Sequence, residues 1–303
     1  ISLSSDSLWR NRDFFLLWFG QAISTLGNRI SSTVALPLLV LALTNSPAQA
    51  GYIAAIRVVP TILLGLLVGA LIDRWDRKKV MVYSDLLRFF AYASVPLAAL
   101  FGQLRIELLY LIALAEGIGS TFFLNAQTAA LPQVVPKTHL YLANGYAQSA
   151  QAVADTIGPS VAGYLIAVAQ STLRGALFAF ALDGLSYLVS VITLGAMRTP
   201  LQGERSATTG QTLPQDIRDG LDFLWAQPAV RTIAALTMTL SFFFGPLHLA
   251  TILLAQQSFA ADEATIGLLF SLSSVGGILG ALLAPWLSTK MRPGYTIISV
   301  VIA

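Results

Sequence analysis

Five ionisable residues interrupt the long apolar stretches of this sequence: Arg29, Arg57, Glu116, Asp155 and Asp183. A charged side chain inside a lipid bilayer is costly, so that one found there usually forms an ion pair, carries a proton or contacts a substrate. Because three acids face two bases, one acid remains when each arginine pairs with one carboxylate. We assign the two arginines to Glu116 and Asp183, which predicts that Asp155 carries the proton. The alternative is that all five form structural pairs between helices or extend towards water.

Polar side chains recur at helical spacing in the same stretches, which predicts a polar cavity between helices. A helix with a polar stripe in lipid must turn that stripe towards another helix or towards water. Amide and phenol groups carry this argument, because Ser and Thr can hydrogen-bond to their own backbone. The predicted cavity residues are Gln21, Asn28, Gln148, Gln151 and Tyr187.

The composition indicates what kind of element must hold these residues. Charged residues make up 11% of the 303-residue chain, less than half of the roughly 25% typical of soluble domains. The mean hydropathy is +0.71, and the apolar runs reach the ~20 residues needed to cross a bilayer. These values exclude a cytosolic enzyme, a disordered tail and a nucleic-acid-binding module. We therefore expect the lipid bilayer, and no nucleic acid, as a partner.

No set of residues in the sequence has the composition of a metal or catalytic centre. The chain has no cysteine, and its two histidines, His139 and His248, are too far apart to form a zinc cage. Neither a phosphate-binding loop nor a nucleophile elbow is found. We expect no cofactor and no enzymatic activity. The alternative, an enzyme embedded in the membrane, would need a nucleophile, a metal cluster or a histidine and carboxylate pair.

Apolar runs without ten-residue alternation predict an all-α membrane protein and not a barrel. Residues 199–228 are rich in Gly, Ser and charged residues and are interpreted as a cytoplasmic linker between membrane domains at 1–198 and 229–303. We expect the chain to be a piece of a longer polypeptide, because it stops inside a ninth run that begins near residue 295. The eight complete runs are 14–43, 50–72, 80–101, 108–131, 143–168, 175–198, 229–254 and 264–288.

The distribution of Lys and Arg between loops predicts the orientation in the membrane. Loops on the side of the N-terminus carry 13 of these residues, and the opposite loops carry two, Arg105 and Arg174. Loops rich in positive charge remain in the cytoplasm. The N-terminus of this multi-pass protein is therefore expected on the cytoplasmic side of the cell (inner) membrane.

A basic loop between the second and third runs contains acids: residues 69–79 read GALIDRWDRKK. It resembles the G-x-x-x-D-R-x-G-R-[RK] signature of the major facilitator superfamily and departs from it at Asp76, where the family has glycine. The resemblance implies a gating loop, whose matching residues are Gly69, Asp73, Arg74, Arg77 and Lys78. We expect Gly69 to permit close helix contact, and Asp73 to bind a helix N-terminus or an arginine. The basic residues are expected at the lipid headgroups.

A second element lies in the fifth run, where residues 154–163 read ADTIGPSVAG. It is similar to the G-x-x-x-G-P-x-x-G-G element of the exporting, proton-antiport branch of the superfamily, with Ala154 and Ala162 in place of glycine. The matching residues are Gly158, Pro159 and Gly163. Small residues at this spacing let another helix approach closely, and a proline bends its helix. Generic helix packing is the alternative explanation.

The resemblance covers nearly the whole chain. The first run, FGQAISTLGNRISSTVALPLLVLALTNSP, is similar to the enterobactin-exporter and macrolide-efflux branch, with Asn28 where many relatives have Asp. The resemblance implies a major facilitator fold of two six-helix bundles that alternate between inward-open and outward-open states. It further implies a monomeric secondary exporter that exchanges protons for small amphipathic molecules such as siderophores or drugs. A proton-coupled importer of a small nutrient is the alternative.

Overall fold

Helices form nearly all of the chain that the computed structural model describes, which is residues 6–202 and 213–290, and these two ranges contain no strand. The all-α prediction is confirmed. The helices are α1 (Asp6–Trp9), α2 (Arg12–Ile30), α3 (Leu36–Thr44), α4 (Pro47–Ile72), α5 (Arg77–Leu100), α6 (Ile106–Val134), α7 (Leu140–Ala169), α8 (Thr172–Ala196), α9 (Leu213–Ala226), α10 (Pro228–Phe259) and α11 (Glu263–Lys290).

Every complete run predicted from the sequence coincides with helix. The first run contains α2 and α3, and the other seven correspond to α4 to α8, α10 and α11. The predicted ninth run, and residues 203–212 of the predicted linker, lie outside the described residues. In the described ranges, five helical stretches are long and apolar enough to cross a membrane: Arg12–Thr44, Pro47–Ile72, Ile106–Val134, Lys137–Ala169 and Thr172–Ala196.

The first membrane-spanning stretch is not a continuous α-helix. Residues Ser31–Ala35 form a π-helix between α2 and α3, in which the Leu36 N–H donates to the Ser31 carbonyl five residues earlier. Pro37 follows, and because proline has no N–H, it cannot donate the α-helical hydrogen bond to the Thr33 carbonyl. Single π turns of this kind are frequent at functional sites.

Two apolar clusters hold the bundle together, and a polar layer separates them. Along α2, the buried members of one cluster end at Leu17 and those of the other begin at Ile30. Along α6, the corresponding gap runs from Ala113 to Phe123. Four ionisable residues of the candidate site lie between the two clusters along their helices: Arg29, Arg57, Glu116 and Asp155.

The helices α7 and α11 pack so closely that one methyl group would clash at two positions. A Cβ atom on Gly163 would lie 2.4 Å from a backbone oxygen of α11, and one on Gly267 would lie 2.4 Å from a backbone oxygen of α7. One turn beyond Gly267 along α11, the hydroxyl groups of Ser271 and Ser160 hydrogen-bond at 2.7 Å. Small residues therefore set the distance between the two helices.

Replacing Gly163 by Ala is expected to lower the thermal unfolding midpoint of the purified full-length protein, because the added methyl group must push α7 away from α11. Overpacking of this kind costs about 1–3 kcal/mol. Gly145→Ala in the same helix is the matched control, since Gly145 is exposed and a Cβ there meets none of the described residues within 4 Å. Equal midpoints for the two variants would show that the helices do not pack at this distance.

Candidate functional site

A cavity of about 660 Å³ lies between α2, α4 and α6, within the polar layer. Its lining includes three of the predicted residues, Gln21, Asn28 and Gln151. Gln148 is exposed on α7 and does not line this cavity, and Tyr187 is buried behind Asn28. Helical spacing places Gln148 and Gln151 on the same face of α7. It does not indicate which part of that face the neighbouring helices enclose. None of the described residues forms a group of three His, Asp or Glu side chains that could hold a metal ion.

Four helices meet in one hydrogen-bond network at the cavity wall. Arg57 Nη2 on α4 donates to Asn28 Oδ1 at 3.1 Å and to Glu116 Oε1 on α6 at 3.3 Å. The Asn28 amide donates to Glu116 Oε1 at 3.2 Å and to the Tyr187 hydroxyl oxygen at 3.0 Å. The Tyr187 hydroxyl in turn donates to Glu116 Oε2 at 3.2 Å. Glu116 is 3% exposed, and its carboxylate accepts hydrogen bonds from three donors, of which Arg57 supplies the opposite charge.

Asp183 on α8 is fully buried, and no cation lies within ion-pair distance of it in the described part of the chain. Its carboxylate accepts hydrogen bonds from the Ser31 hydroxyl, in the π-helix, and from the Ser186 hydroxyl at 3.2 Å. Gly27 packs against the same carboxylate, because a Cβ there would lie 2.9 Å from Asp183 Oδ1. Asp183 is thus held by hydroxyl groups and enclosed by helix packing.

The acid without an arginine is therefore Asp183, and not Asp155 as predicted. Asp155 Oδ1 lies 2.5 Å from Arg29 Nε, and Gln151 Nε2 donates to both Asp155 oxygens at 3.1 and 3.3 Å. Gly158 explains this pairing: a Cβ there would lie 2.6 Å from the Arg29 Cβ, so that α7 touches α2 one turn away from Asp155. Depth in the membrane, the basis of the prediction, does not reveal which helices face each other.

A second buried ion pair, between Asp85 and Arg88 on α5, belongs to the same polar layer and was not predicted as part of the site. Asp85 is fully buried. The Arg88 guanidinium carbon lies 4.8 Å from the centre of the Phe123 ring and 4.5 Å from that of Tyr187, distances at which a cation is attracted to an aromatic face. The sequence signal for this pair is an acid and an arginine three residues apart in the third apolar run.

The basic loop after α4 binds the ends of other helices. Lys78 Nζ donates to the carbonyl oxygens of Met197 at 2.8 Å and of Gly195 at 3.2 Å, where α8 ends. Arg77 Nη1 donates to the Ala129 carbonyl oxygen of α6 at 2.9 Å. Lys78 therefore caps the negative end of the α8 dipole.

Among the described residues, no close helix contact is found at Gly69: a Cβ atom there would meet none of them within 4 Å. The helix α4 packs through Val68 and Ile72, which are buried. Because a small residue permits close contact without requiring it, the role expected of Gly69 stays a prediction.

The two acids of the loop have different roles. Of the two partners expected for Asp73, the structure shows the arginine: Arg77 Nη2 lies 3.6 Å from Asp73 Oδ1, and the Asp73 side chain is 75% exposed. The N-cap of α5 is instead Asp76, whose carboxylate accepts from the Lys79 N–H at 3.1 Å. The residue that departs from the family signature thus stabilises the start of the helix.

A further anchor, which sequence reasoning missed, joins the exit of α8 to the start of α2. The buried Asp13 carboxylate accepts from the Arg198 N–H at 3.1 Å, from the Thr199 N–H at 2.7 Å and from the Thr199 hydroxyl at 2.5 Å. An acid in the first turn of a helix is ordinarily explained by the helix dipole alone. Here it also fixes where the predicted linker begins.

Comparison with known proteins assigns the chain to a family. The profile of the transmembrane secretion effector family, which is part of the major facilitator superfamily, matches residues 4–302. The chain belongs to this family. Membership confirms the resemblance to the major facilitator superfamily, and with it a helical, multi-pass membrane fold.

Three proteins similar to this member of the family are efflux proteins by name. Macrolide efflux protein A of Streptococcus pyogenes is 24% identical over 270 residues, which are 89% of this chain and 65% of that protein. Multidrug efflux pump Tap of Mycolicibacterium fortuitum is 29% identical over 296 residues, which are 95% of this chain and 70% of that protein. Tap of Mycobacterium tuberculosis is 26% identical over 277 residues, with 88% and 64% covered. The chain thus spans about two thirds of the length of these relatives.

Proposed function

We propose that the full-length protein is a secondary active exporter, which expels small amphipathic molecules such as siderophores or drugs in exchange for protons. The observation that carries this proposal is a cavity between membrane-spanning helices with a buried acid-base network in its wall. Transporters of this superfamily bind substrate near mid-membrane, where either side can be opened in turn. The efflux names of the relatives support the outward direction.

Asp183 is the proton site in this proposal. Protonation of a buried carboxylate that has no cation partner removes the cost of burying its charge. The other two acids already have an arginine partner. The pair Arg57–Glu116 joins α4 to α6, and Arg57 also binds Asn28 of α2. The pair Arg29–Asp155 joins α2 to α7. In this proposal, a proton on Asp183 changes its hydrogen bond with Ser31, and so the packing of α2 and of the helices that these ion pairs join to α2.

The full-length protein is proposed to be monomeric and to consist of two six-helix halves, with residues 1–198 as the first half, 199–228 as the linker and 229–303 as the start of the second. The contact of α7 with α11 then joins the two halves. Its glycines, Gly163 and Gly267, leave a smooth surface on which one half can rock against the other.

The loop that carries Arg77 and Lys78 is proposed to gate the cytoplasmic side. The exit of α8 is held by Lys78 on one side and by Asp13, through Thr199, on the other. Because the linker starts at this exit, a movement of the second half acts directly on these contacts. The exposed carboxylate of Asp73 pairs with the largely buried Arg77 and keeps that arginine in position.

Single cysteines at Thr138 and Gln103, in full-length protein without other cysteines, are expected to react with a membrane-impermeant thiol reagent from opposite sides. Both positions are exposed, Thr138 between α6 and α7 and Gln103 between α5 and α6. With the proposed cytoplasmic N-terminus, Thr138→Cys is labelled in inverted vesicles and Gln103→Cys in intact cells. Labelling of both from one side would refute this topology.

Flux in proteoliposomes with an imposed pH gradient tests the proposed function. The full-length protein is expected to drive amphipathic compounds against their gradient and opposite to the proton flow. Transport in the direction of the proton flow would instead identify the importer. Transport against the substrate gradient that persists after a protonophore has abolished the pH gradient would refute proton coupling.

A further inference from the structure

The residues that line the cavity include more basic than acidic side chains, although each of these basic side chains has an acidic partner in the polar layer. The lining supplied by the described residues contains one acid, Glu116, and three arginines: Arg29, Arg57 and Arg88. The acids that pair with Arg29 and Arg88 are not part of this lining: Asp155 and Asp85. A molecule in the cavity therefore meets cationic groups in excess.

The difference in exposure strengthens this imbalance. The side chains of Arg29 and Arg57 are 39% and 24% exposed, whereas that of Glu116 is 4% exposed and surrounded by its donors. Among the described residues, the polar contacts of Arg57 use only Nη2, and the ion pair of Arg29 uses only Nε. Since a guanidinium has five N–H groups, each arginine retains donors for another acceptor.

From these two arginines we infer that the cavity binds the anionic head group of its substrate, a carboxylate or a similar oxyanion, at Arg29 and Arg57. The inference rests on the proposed function and specifies the substrate class. Guanidinium groups bind oxyanions through charge-assisted, frequently paired hydrogen bonds. Apolar residues of the same lining with exposed side chains, such as Val58 and Leu124, receive the apolar part of an amphipathic substrate.

The arrangement also bears on coupling. Glu116 is occupied by its donors, and Asp183 does not line the cavity. Substrate and proton therefore do not compete for one open carboxylate. Instead, the substrate stabilises one conformation of the transporter and the proton stabilises the other. The binding of substrate is therefore coupled to the binding of the proton.

Equilibrium binding of two fluorescent amphipaths to the purified full-length protein tests the inference: the anion anilinonaphthalenesulfonate and a cationic rhodamine, whose carboxyl group is esterified. Anion binding is expected to weaken at least about ten-fold in the double variant Arg57→Gln/Glu116→Gln, which removes the guanidinium without leaving a buried unpaired carboxylate. A second double variant, Arg29→Gln/Asp155→Asn, is expected to show the same loss. Arg105→Gln in an exposed loop is the control for non-specific binding to protein and detergent.

Unchanged anion affinity in both double variants would overturn the inference, as would tighter binding of rhodamine than of the anion to the unaltered protein. If either double variant fails to fold, the relative affinity of the unaltered protein for the two probes still tests the inference. In the flux assay, export of rhodamine without export of the anion would overturn the anionic substrate class and leave the exporter intact. A lack of gradient-driven flux for every amphipath would instead refute the proposed function.

Discussion

The Asp183→Asn variant of the full-length protein is expected to bind substrate but to lose transport driven by a pH gradient. Asparagine has nearly the shape of the protonated acid and can accept a hydrogen bond from Ser31 or Ser186, but it cannot take up or release a proton. Uphill flux in proteoliposomes should fall to the background of protein-free liposomes. Exchange of substrate without a gradient should persist, because it requires no change in protonation.

Asp155→Asn is the matched comparison, since it makes the same chemical change in the same layer. Both Asp155 and its partner Arg29 are more than one third exposed, so that water compensates the arginine when the acid is neutralised. Gradient-driven flux should therefore be reduced but retained. If Asp155→Asn abolishes the flux and Asp183→Asn does not, the proton site lies at Asp155 and the proposed role of Asp183 is wrong.

Arg57→Gln is expected to cause the largest loss of stability in the site. Removing one partner of a buried ion pair leaves the other charge uncompensated, which costs about 3–5 kcal/mol. Glu116, 3% exposed, would lose its cation and keep only the Asn28 and Tyr187 donors. Thermal unfolding of the purified protein should therefore begin at a markedly lower temperature.

Adding Glu116→Gln to Arg57→Gln should recover most of this loss. The Gln side chain removes the buried charge and can still accept a hydrogen bond from Asn28. Arg105→Gln removes one positive charge, as Arg57→Gln does, but in an exposed loop. It should leave the unfolding temperature unaltered. A double variant as unstable as the single one would show that volume, and not charge, explains the effect.

The helices could be predicted because a bilayer leaves few choices for the backbone. In lipid every N–H and C=O must be satisfied within the chain, so that a long apolar run such as 108–131 has to be helical, and it lies within α6. The π turn Ser31–Ala35 could not be predicted in this way, because its residues fit the pattern of an ordinary helix. Only Pro37 indicates that a hydrogen bond is missing there.

The candidate site could be predicted as a set of residues but not as a set of pairs. Charge and depth in the membrane identified Arg57, Glu116 and Asp183, and Arg57 does pair with Glu116. The pairing of Arg29 with Asp155 depends on how two helices are rotated towards each other, which the periodicity of one helix does not specify. The small residue at the contact decides that rotation, and several small residues in the sequence were equally suited to it.

Proton release on substrate binding tests most directly whether Asp183 couples the two ligands. Substrate is added to the purified full-length protein in weakly buffered solution, and a pH dye reports the protons released. If substrate and proton favour opposite conformations, reciprocal linkage predicts release of up to about one proton per bound substrate. Asp183→Asn should bind substrate and release none. Substrate binding without proton release in the unaltered protein, or undiminished release from Asp183→Asn, would contradict this coupling.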